Sequence, residues 1–508
     1  MALHVLHTLE WSERWHFTLF AAIIGFVLCR ALWTAFSNIF LHPLKSFPGP
    51  ALARLTTWWE IYHTIKCDRF NVIQELHEKY GQVVRIGPNQ VSVASPDVFH
   101  HVFVTKCSSF LKSDFYSSIQ AGIGPKYAGL FNYTDHKRAQ AERRDLQPMF
   151  SPASLRQFEA RYTVLLDQLI VAMKSEKTVD MFKLFKFLLL DAIGDLAFDS
   201  SFNQLVSGKD HQYVIDFNNA FMLIGLQNTF SWLLPFIPYL PFKALKDAYF
   251  GLRRVFEYSQ RQVEEYLRQN ASKKHGTLMS GFLDAETGHP KDGYSPWTIA
   301  LSGYGFIIAG SEGSSITLTY MLWLLIKNPA SEKKLREEIA TLPKGYCSAD
   351  LAKLPYLDAF LRETLRIYPP APSPMPRIVP PQGFSMDGID YPPNTIISAQ
   401  PYTIHRCAEV FENPNTFNPE RWLEASAAEK EQMNRAFIAF SAGQRGCIGR
   451  GLAWMHMQMA LVRVLEEFDT LELTNGMTDD DMVLIERGAL AKPKSTKLWV
   501  RCYAKETS

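Results

Sequence analysis

Hydrophobic and polar positions along the chain separate two long apolar runs from a body of periodic segments. The first run, "FTLFAAIIGFVLCRALWTAFSNIF" from Phe17 to Phe40, has Arg30 as its only charge and is long enough for one bilayer crossing. The second, Trp297 to Ile326, is interrupted by "AGSEGSS", where Glu312 is its only acid and stands beside glycines and serines. No stretch of about 18 apolar residues survives that interruption, which predicts a core helix crossing the domain and not a second span. Periodic segments around residues 152 to 174, 182 to 200, 245 to 270 and 329 to 342 predict further helices. "GQVVRIGPNQVSVAS" predicts a hairpin turning at Gly-Pro-Asn. A second strand-rich region, about residues 374 to 400, carries the turn signals "PQG", "MDG" and "YPPN". The fold class is mainly α with a small β portion.

A cleaved signal peptide would need a basic segment before the first run, but that segment holds Glu10, Glu13 and one Arg14. Positive charge lies at its far end and beyond, in Arg30, Lys45 and Arg54, which places the body on the cytosolic side. Pro43, Pro48 and Pro50 in "HPLKSFPGP" stop the helix from running on. The expected organisation is a membrane anchor over residues 1–41, a proline-rich hinge over 42–52 and one large domain over 53–508, since no linker or repeat divides the rest.

Composition excludes more than it assigns. With 53 basic and 51 acidic residues the chain has no overall attraction to nucleic acid, and 47% hydrophobic residues suffice for a large core. Seven scattered cysteines without a C-x-x-C pair argue for a reducing compartment, against a disulfide framework or a zinc site. The sequons at Asn132 and Asn270 are then expected to be unused.

The chemistry starts near the C-terminus, in "FSAGQRGCIGRGLAWMHMQMALVRVLEEF". A random cysteine is usually a small buried hydrophobe. Here glycines let the backbone approach something flat, Arg445 offers a fork for a carboxylate, and a helix starting just after Cys447 turns its positive end toward the sulfur. Such surroundings favour a thiolate. Phe440, Gly443, Arg445, Cys447 and Gly449 follow the spacing F-x-x-G-x-R-x-C-x-G, and in this the segment resembles the haem-ligand loop of the cytochrome P450 family, the haem-thiolate monooxygenases. The resemblance implies that Cys447 is the axial iron ligand, that Arg445 binds a haem propionate and that Phe440 packs beside the sulfur.

Two further signals agree. In "FLRETLRIYPP" Glu363 and Arg366 share one helix face, and "FNPERW" supplies Arg421; the resemblance implies a buried ion triad bracing the haem core. It also places Arg377 in "SPMPRIVP" and Arg143 in "TDHKRAQAERRDLQPMFS" as further propionate contacts. The second match departs from the family at Ala139, where an aromatic residue or histidine is usual, which leaves Arg143, Arg144 and a shifted alignment through His136 open. His405 reads as structural.

The second apolar run resembles the family's distal helix with its A/G-G-x-D/E-T pattern. Ala309 and Gly310 then leave room for O2, and Glu312 with an adjoining hydroxyl supplies protons. Gly313 stands where the threonine is usual, so Ser314 in a distorted helix, a water or the substrate's own hydroxyl takes that role, or the reaction needs less protonation. The uncharged segment from Phe221 to Phe242 implies a lipophilic substrate entering near the bilayer, with "CSSFLKSDFYSSIQAGIGPKY" and "IERGALA" as pocket walls.

The resemblance looks most like fungal microsomal members. It implies a cytochrome P450 fold with haem as cofactor, electrons from NADPH through NADPH-cytochrome P450 reductase at a basic proximal face, and consumption of O2. The location expected is the endoplasmic reticulum membrane, single-pass, with a cytosolic catalytic domain. Hydroxylation, epoxidation, or desaturation, rearrangement and ring coupling without net oxygen insertion stay open, in fungal secondary metabolism. A non-catalytic haem-binding protein is the reading from another class. A cysteine nucleophile without haem would need a histidine partner, which the local sequence does not supply.

Overall fold

The computed structural model describes residues 2–118, 129–216, 219, 231–270, 276–487 and 490–505. The principal helices are α1 (Ala2–Phe36), α2 (His136–Leu146), α3 (Pro152–Ser175), α4 (Met181–Phe198), α5 (Lys243–Asn270), α6 (Pro296–Lys327), α7 (Pro355–Ile367) and α8 (Arg450–Glu467). The strands are β1 (Val83–Gly87), β2 (Gln90–Val93), β3 (Thr178–Asp180), β4 (Met375–Ile378), β5 (Phe384–Met386), β6 (Ile389–Tyr391), β7 (Ile396–Ala399), β8 (Phe468–Leu473), β9 (Leu484–Arg487), β10 (Leu490–Pro493) and β11 (Trp499–Ala504). All the periodic segments named above form helices, the last as Pro329–Ile339.

Helix α6 is the axis of the molecule. Ser295 caps it in a reciprocal pair with Thr298 and Pro296 opens its first turn, so its start is set locally. From Ser314 to Leu325 it is buried all round, because α4, α5, α7 and α8 pack against it. The second apolar run is therefore a core helix, as its interrupted pattern predicts. Helix α4 is as apolar; Asp180 caps its start and Asp199, in the left-handed region at φ 58°, ends it.

The larger sheet has the order β1-β2-β7-β4, with β2 and β7 parallel and the other pairs antiparallel. It joins the hairpin at residues 83–93 to the region at 375–399. A second sheet, β3-β11-β8, ties the end of the chain to the start of α4. The largest hydrophobic cluster of buried residues runs from Leu44 to Val500.

The apolar run near the N-terminus gives one helical stretch, Thr18–Leu41, long enough to cross a membrane, with none of it buried against the body. Beyond it the proline-rich segment is not free. Leu44 and Phe47 are buried, Arg85 of β1 donates to the Leu44 and Pro88 carbonyls, and its backbone N–H donates to Pro48 O at 2.6 Å. The folded body thus begins within this segment.

Of the apolar segment 221–242, residues 221–230 lie outside the described residues. The rest is a 3-10 stretch, Ser231–Tyr239, containing Pro235 and Pro238, and Phe236, Tyr239 and Phe242 are exposed. Residues 119–127 of the segment 107–127, and 488–489 of "IERGALA", also lie outside the described residues.

Candidate active site

The cysteine loop precedes α8 and closes on itself: Cys447 N–H donates to Phe440 O at 2.9 Å and Gly446 N–H to Gly443 O at 3.0 Å. Gly443 has φ +65°, and a Cβ there would collide with the Phe103 carbonyl, so two reasons require glycine. The Phe440 ring lies 5.6 Å from Trp454, which fixes the start of the loop on α8. Cys447 is accessible yet surrounded by protein, as in a recess. Burial pushes its thiol up, while the Gly449 N–H, Arg143 and Arg450 pull the other way.

Arg143, Arg445, Arg377 and Lys112 come together beside the loop from distant parts of the chain. Arg143 of α2 donates to Gly446 O at 2.7 Å, whereas Arg144 is exposed, so α2 turns the first of the pair toward the loop. His136 and Gln140 both meet Gln444, which positions α2 against the outer side of the loop. Arg445 donates to Tyr133 O, and burial, with Arg377 next, pushes it down to about 10. Arg377 of β4 is buried, donates to Tyr116 Oη at 2.9 Å and lies 4.5 Å from the Phe103 ring. Lys112, which sequence reasoning missed, is buried beside them, and burial, Arg377 and Arg445 hold it well below the usual lysine range. Its sequence setting, a lone lysine in "FLKSDF", carries no signal of this.

Lys112, Arg377 and Arg445 repel one another, and among the described residues their hydrogen bonds go to carbonyls and a phenol, not to a carboxylate. Buried like charges of this kind require a compensating anion. A thiol beside such cations fits a haem: Cys447 would hold its iron, and the cations would hold its two carboxylates.

Behind the loop stands the ion triad. Arg366 grips Glu363 through two contacts, 2.7 and 2.9 Å, with both side chains fully buried, and Arg421 Nε reaches the same carboxylate at 3.1 Å. Trp422 Nε1 and Asn418 N also donate to Glu363, so every oxygen is satisfied. Arg366 further donates to the His405 and Pro414 carbonyls. His405 accepts from Ile438 N–H at 3.0 Å and lies 3.2 Å from Arg366 O, a link from the triad to the stretch of chain entering the cysteine loop.

On α6, Ala309 is exposed, and a Cβ on Gly313 would meet nothing within 4 Å; one turn apart, they share a face. Gly310 faces elsewhere, since a Cβ there would strike Ile193 of α4 at 2.6 Å. Glu312 is buried and its Oε1 lies 2.8 Å from Lys186 Nζ of α4. Burial pushes its carboxyl up, but Lys186 and Lys492 outweigh this and hold it below its ordinary value. A small cavity beside this pair is lined by Lys186, Leu190, Tyr213, Ile307 and Ser311. The helix is continuous through residues 309–315, so Ser314 is buried about 100° round from Gly313 and the distortion it would need is not there. Within "IERGALA", Glu486 is turned away to Arg69 at 2.7 Å and Ser373 at 2.5 Å, and is no open pocket wall.

A mainly helical body with a cysteine loop set beside a cluster of cations fits the haem-thiolate class of oxygenase. The sequence model of the family described as "Cytochrome P450" matches residues 48–500, and the chain belongs to that family of monooxygenases. It is 32% identical to cytochrome P450 monooxygenase tazI of Aspergillus terreus, over 91% of this chain and 94% of that one. It is 30% identical to averantin hydroxylase of Dothistroma septosporum, over 95% and 91%. The crystal structure of the cytochrome P450DA heme domain superposes with a TM-score of 0.74 at 18% identity, covering 91% of this chain and 98% of that chain, a likeness of fold.

Proposed function

We propose that this chain is a membrane-anchored monooxygenase that uses O2 and electrons from NADPH, delivered by NADPH-cytochrome P450 reductase, to oxidise a lipophilic small molecule in fungal secondary metabolism. Residues 1–41 are the anchor in the endoplasmic reticulum membrane, and 53–508 the cytosolic catalytic domain, with the segment 42–52 between them. The observation that carries the reading is the Cys447 loop with Arg143, Arg377 and Arg445 clustered beside it. Haem bound there would supply one-electron chemistry and O2 activation.

In this reading Cys447 would hold the iron, and Arg143, Arg377 and Arg445 would hold the carboxylates. Ala309 and Gly313 put no more than a methyl group on the face of α6 that they share, so O2 and substrate would have room to approach there. Glu312 passes protons toward that face after release from Lys186. Because α6 is regular at Gly313, a water or a hydroxyl of the substrate completes the relay in place of Ser314. The name of averantin hydroxylase supports hydroxylation as the first reaction to assay.

The test is the spectrum of the reduced, carbon-monoxide-bound protein. A thiolate-type red-shifted band that disappears in Cys447→Ser is expected, and its absence from folded wild-type protein overturns the proposal. Substrate-dependent NADPH consumption with the reductase separates an enzyme from a haem-binding scaffold, and metabolite profiling after deletion identifies the substrate class.

A further inference from the structure

Lys492 of β10 has no role in the reading above. Residues directly opposite in the antiparallel β9–β10 pair put their side chains on the same side, which sorts the hairpin into two faces. Leu484, Glu486, Ala491 and Pro493 form a buried face, on which Glu486 is held by Arg69 and Ser373. Ile485, Leu490 and Lys492 share the other face and are half-buried, with Arg487 at its exposed end. The Lys492 ammonium therefore stands among apolar neighbours, away from Glu486.

An ammonium has three donors, yet among the described residues Lys492 makes no side-chain hydrogen bond and no ion pair. Its strand packs against α6, and the acid whose field it feels there is Glu312, already bound to Lys186 at 2.8 Å. Lys186 and Arg487 repel it, so one carboxylate faces three cations. Burial pushes the Lys492 ammonium down, and the share it has in Glu312 does not make this good. Alongside Glu312, α6 is open. Gly305, Ala309 and Gly313 follow one another a turn apart, a Cβ on either glycine would meet nothing within 4 Å, and Ala309 is exposed. Glu312 stands within about 60° of Gly305 and Ala309 round the helix.

We propose that Lys492 is a specificity-determining residue that binds a carboxylate of the substrate, so that the substrate is a lipophilic acid. The inference rests on the haem-thiolate reading and names the substrate class of that site. The apolar body of such a molecule lies along the open strip of α6, and its carboxylate gives Lys492 the charged acceptor that the chain does not. A neutral molecule of the same shape leaves the ammonium unpaired, which discriminates against it.

The test is the absorption shift of the ferric holoenzyme on titration with dodecanoic acid and naphthoic acid, each beside its methyl ester. At least one acid is expected to bind wild-type protein about tenfold more tightly than its ester, the scale of one charge-assisted hydrogen bond. Lys492→Gln should remove that preference by weakening the acid alone, and Lys492→Arg should keep it. The proposal is overturned if neither acid is preferred, if the preference survives in Lys492→Gln, or if acid and ester weaken equally, which marks Lys492 as structural. Should Lys492→Gln load no haem, the acid-to-ester ratios of wild-type protein and Lys492→Arg decide, and a ratio near one in either overturns the proposal. Wild-type protein without the thiolate-type band would instead overturn the haem-thiolate reading.

Discussion

Lys186 Nζ of α4 lies 2.8 Å from Glu312 Oε1 of α6, with both side chains buried. That pair explains how a solitary carboxylate persists in an apolar helix: its charge is matched by a cation from the neighbouring helix, with Lys492 of β10 adding to the field. The acid is thus held in its ionised form, and the proposed relay requires the contact with Lys186 to open before Glu312 can carry a proton.

Glu312→Gln should therefore fold and bind haem yet form product about a hundredfold more slowly, the scale of lost general acid–base catalysis. Lys186→Met should lower stability by about 3 kcal/mol by stranding the carboxylate, with the double variant recovering much of it. Thermal unfolding and single-turnover product formation check both. Wild-type turnover in Glu312→Gln would remove it from the relay.

The two glycines of α6 should respond oppositely. Gly313→Thr meets open space and replaces a poor helix former, so stability should hold or rise by about 0.5 kcal/mol. The ratio of product to released peroxide should change, because a hydroxyl then stands in the relay; an unchanged ratio means that water or substrate already fills the place. Gly310→Val drives its Cβ into Ile193 and should destabilise by about 1–3 kcal/mol.

Glu363 accepts from Arg366, Arg421, Trp422 and the Asn418 backbone. Arg366→Met leaves a buried carboxylate with too few donors, and a loss of about 3–5 kcal/mol is expected. The readouts are soluble yield and the Soret band, and a stable, haem-loaded Arg366→Met variant would contradict the bracing role.

Acid should destabilise the fold before its carboxylates titrate. Burial, then Arg366 and Arg406, push His405 down to about 3, below the ordinary 6.5, so the unfolded chain binds a proton that the folded one does not. The stability His405 contributes is complete above about pH 6.5 and is lost as pH falls from there toward 3, at up to about 1.4 kcal/mol per pH unit. Chemical denaturation between about pH 6.5 and 4.5 should show a shallower pH slope in His405→Gln, with His77 and His456, held at about 4 and about 3, retaining the remainder.

Features encoded within a short stretch of chain are legible in the sequence alone. The Cys447 loop, the Glu363–Arg366 face of α7, the hairpin at 83–93 and the length of α6 follow from spacing, turn residues and periodicity, all of which act over a few residues. Tertiary structure alone decided the partners across the chain: Lys186 with Glu312, Lys112 beside Arg377, Arg143 in preference to Arg144, Ser314 turned from Gly313, and the proline-rich segment strapped to β1 by Arg85. The physical reason is range. Helix propensity and turn chemistry are local, whereas the charge that compensates a buried group is selected by which elements pack together, and no pattern along the sequence carries that pairing.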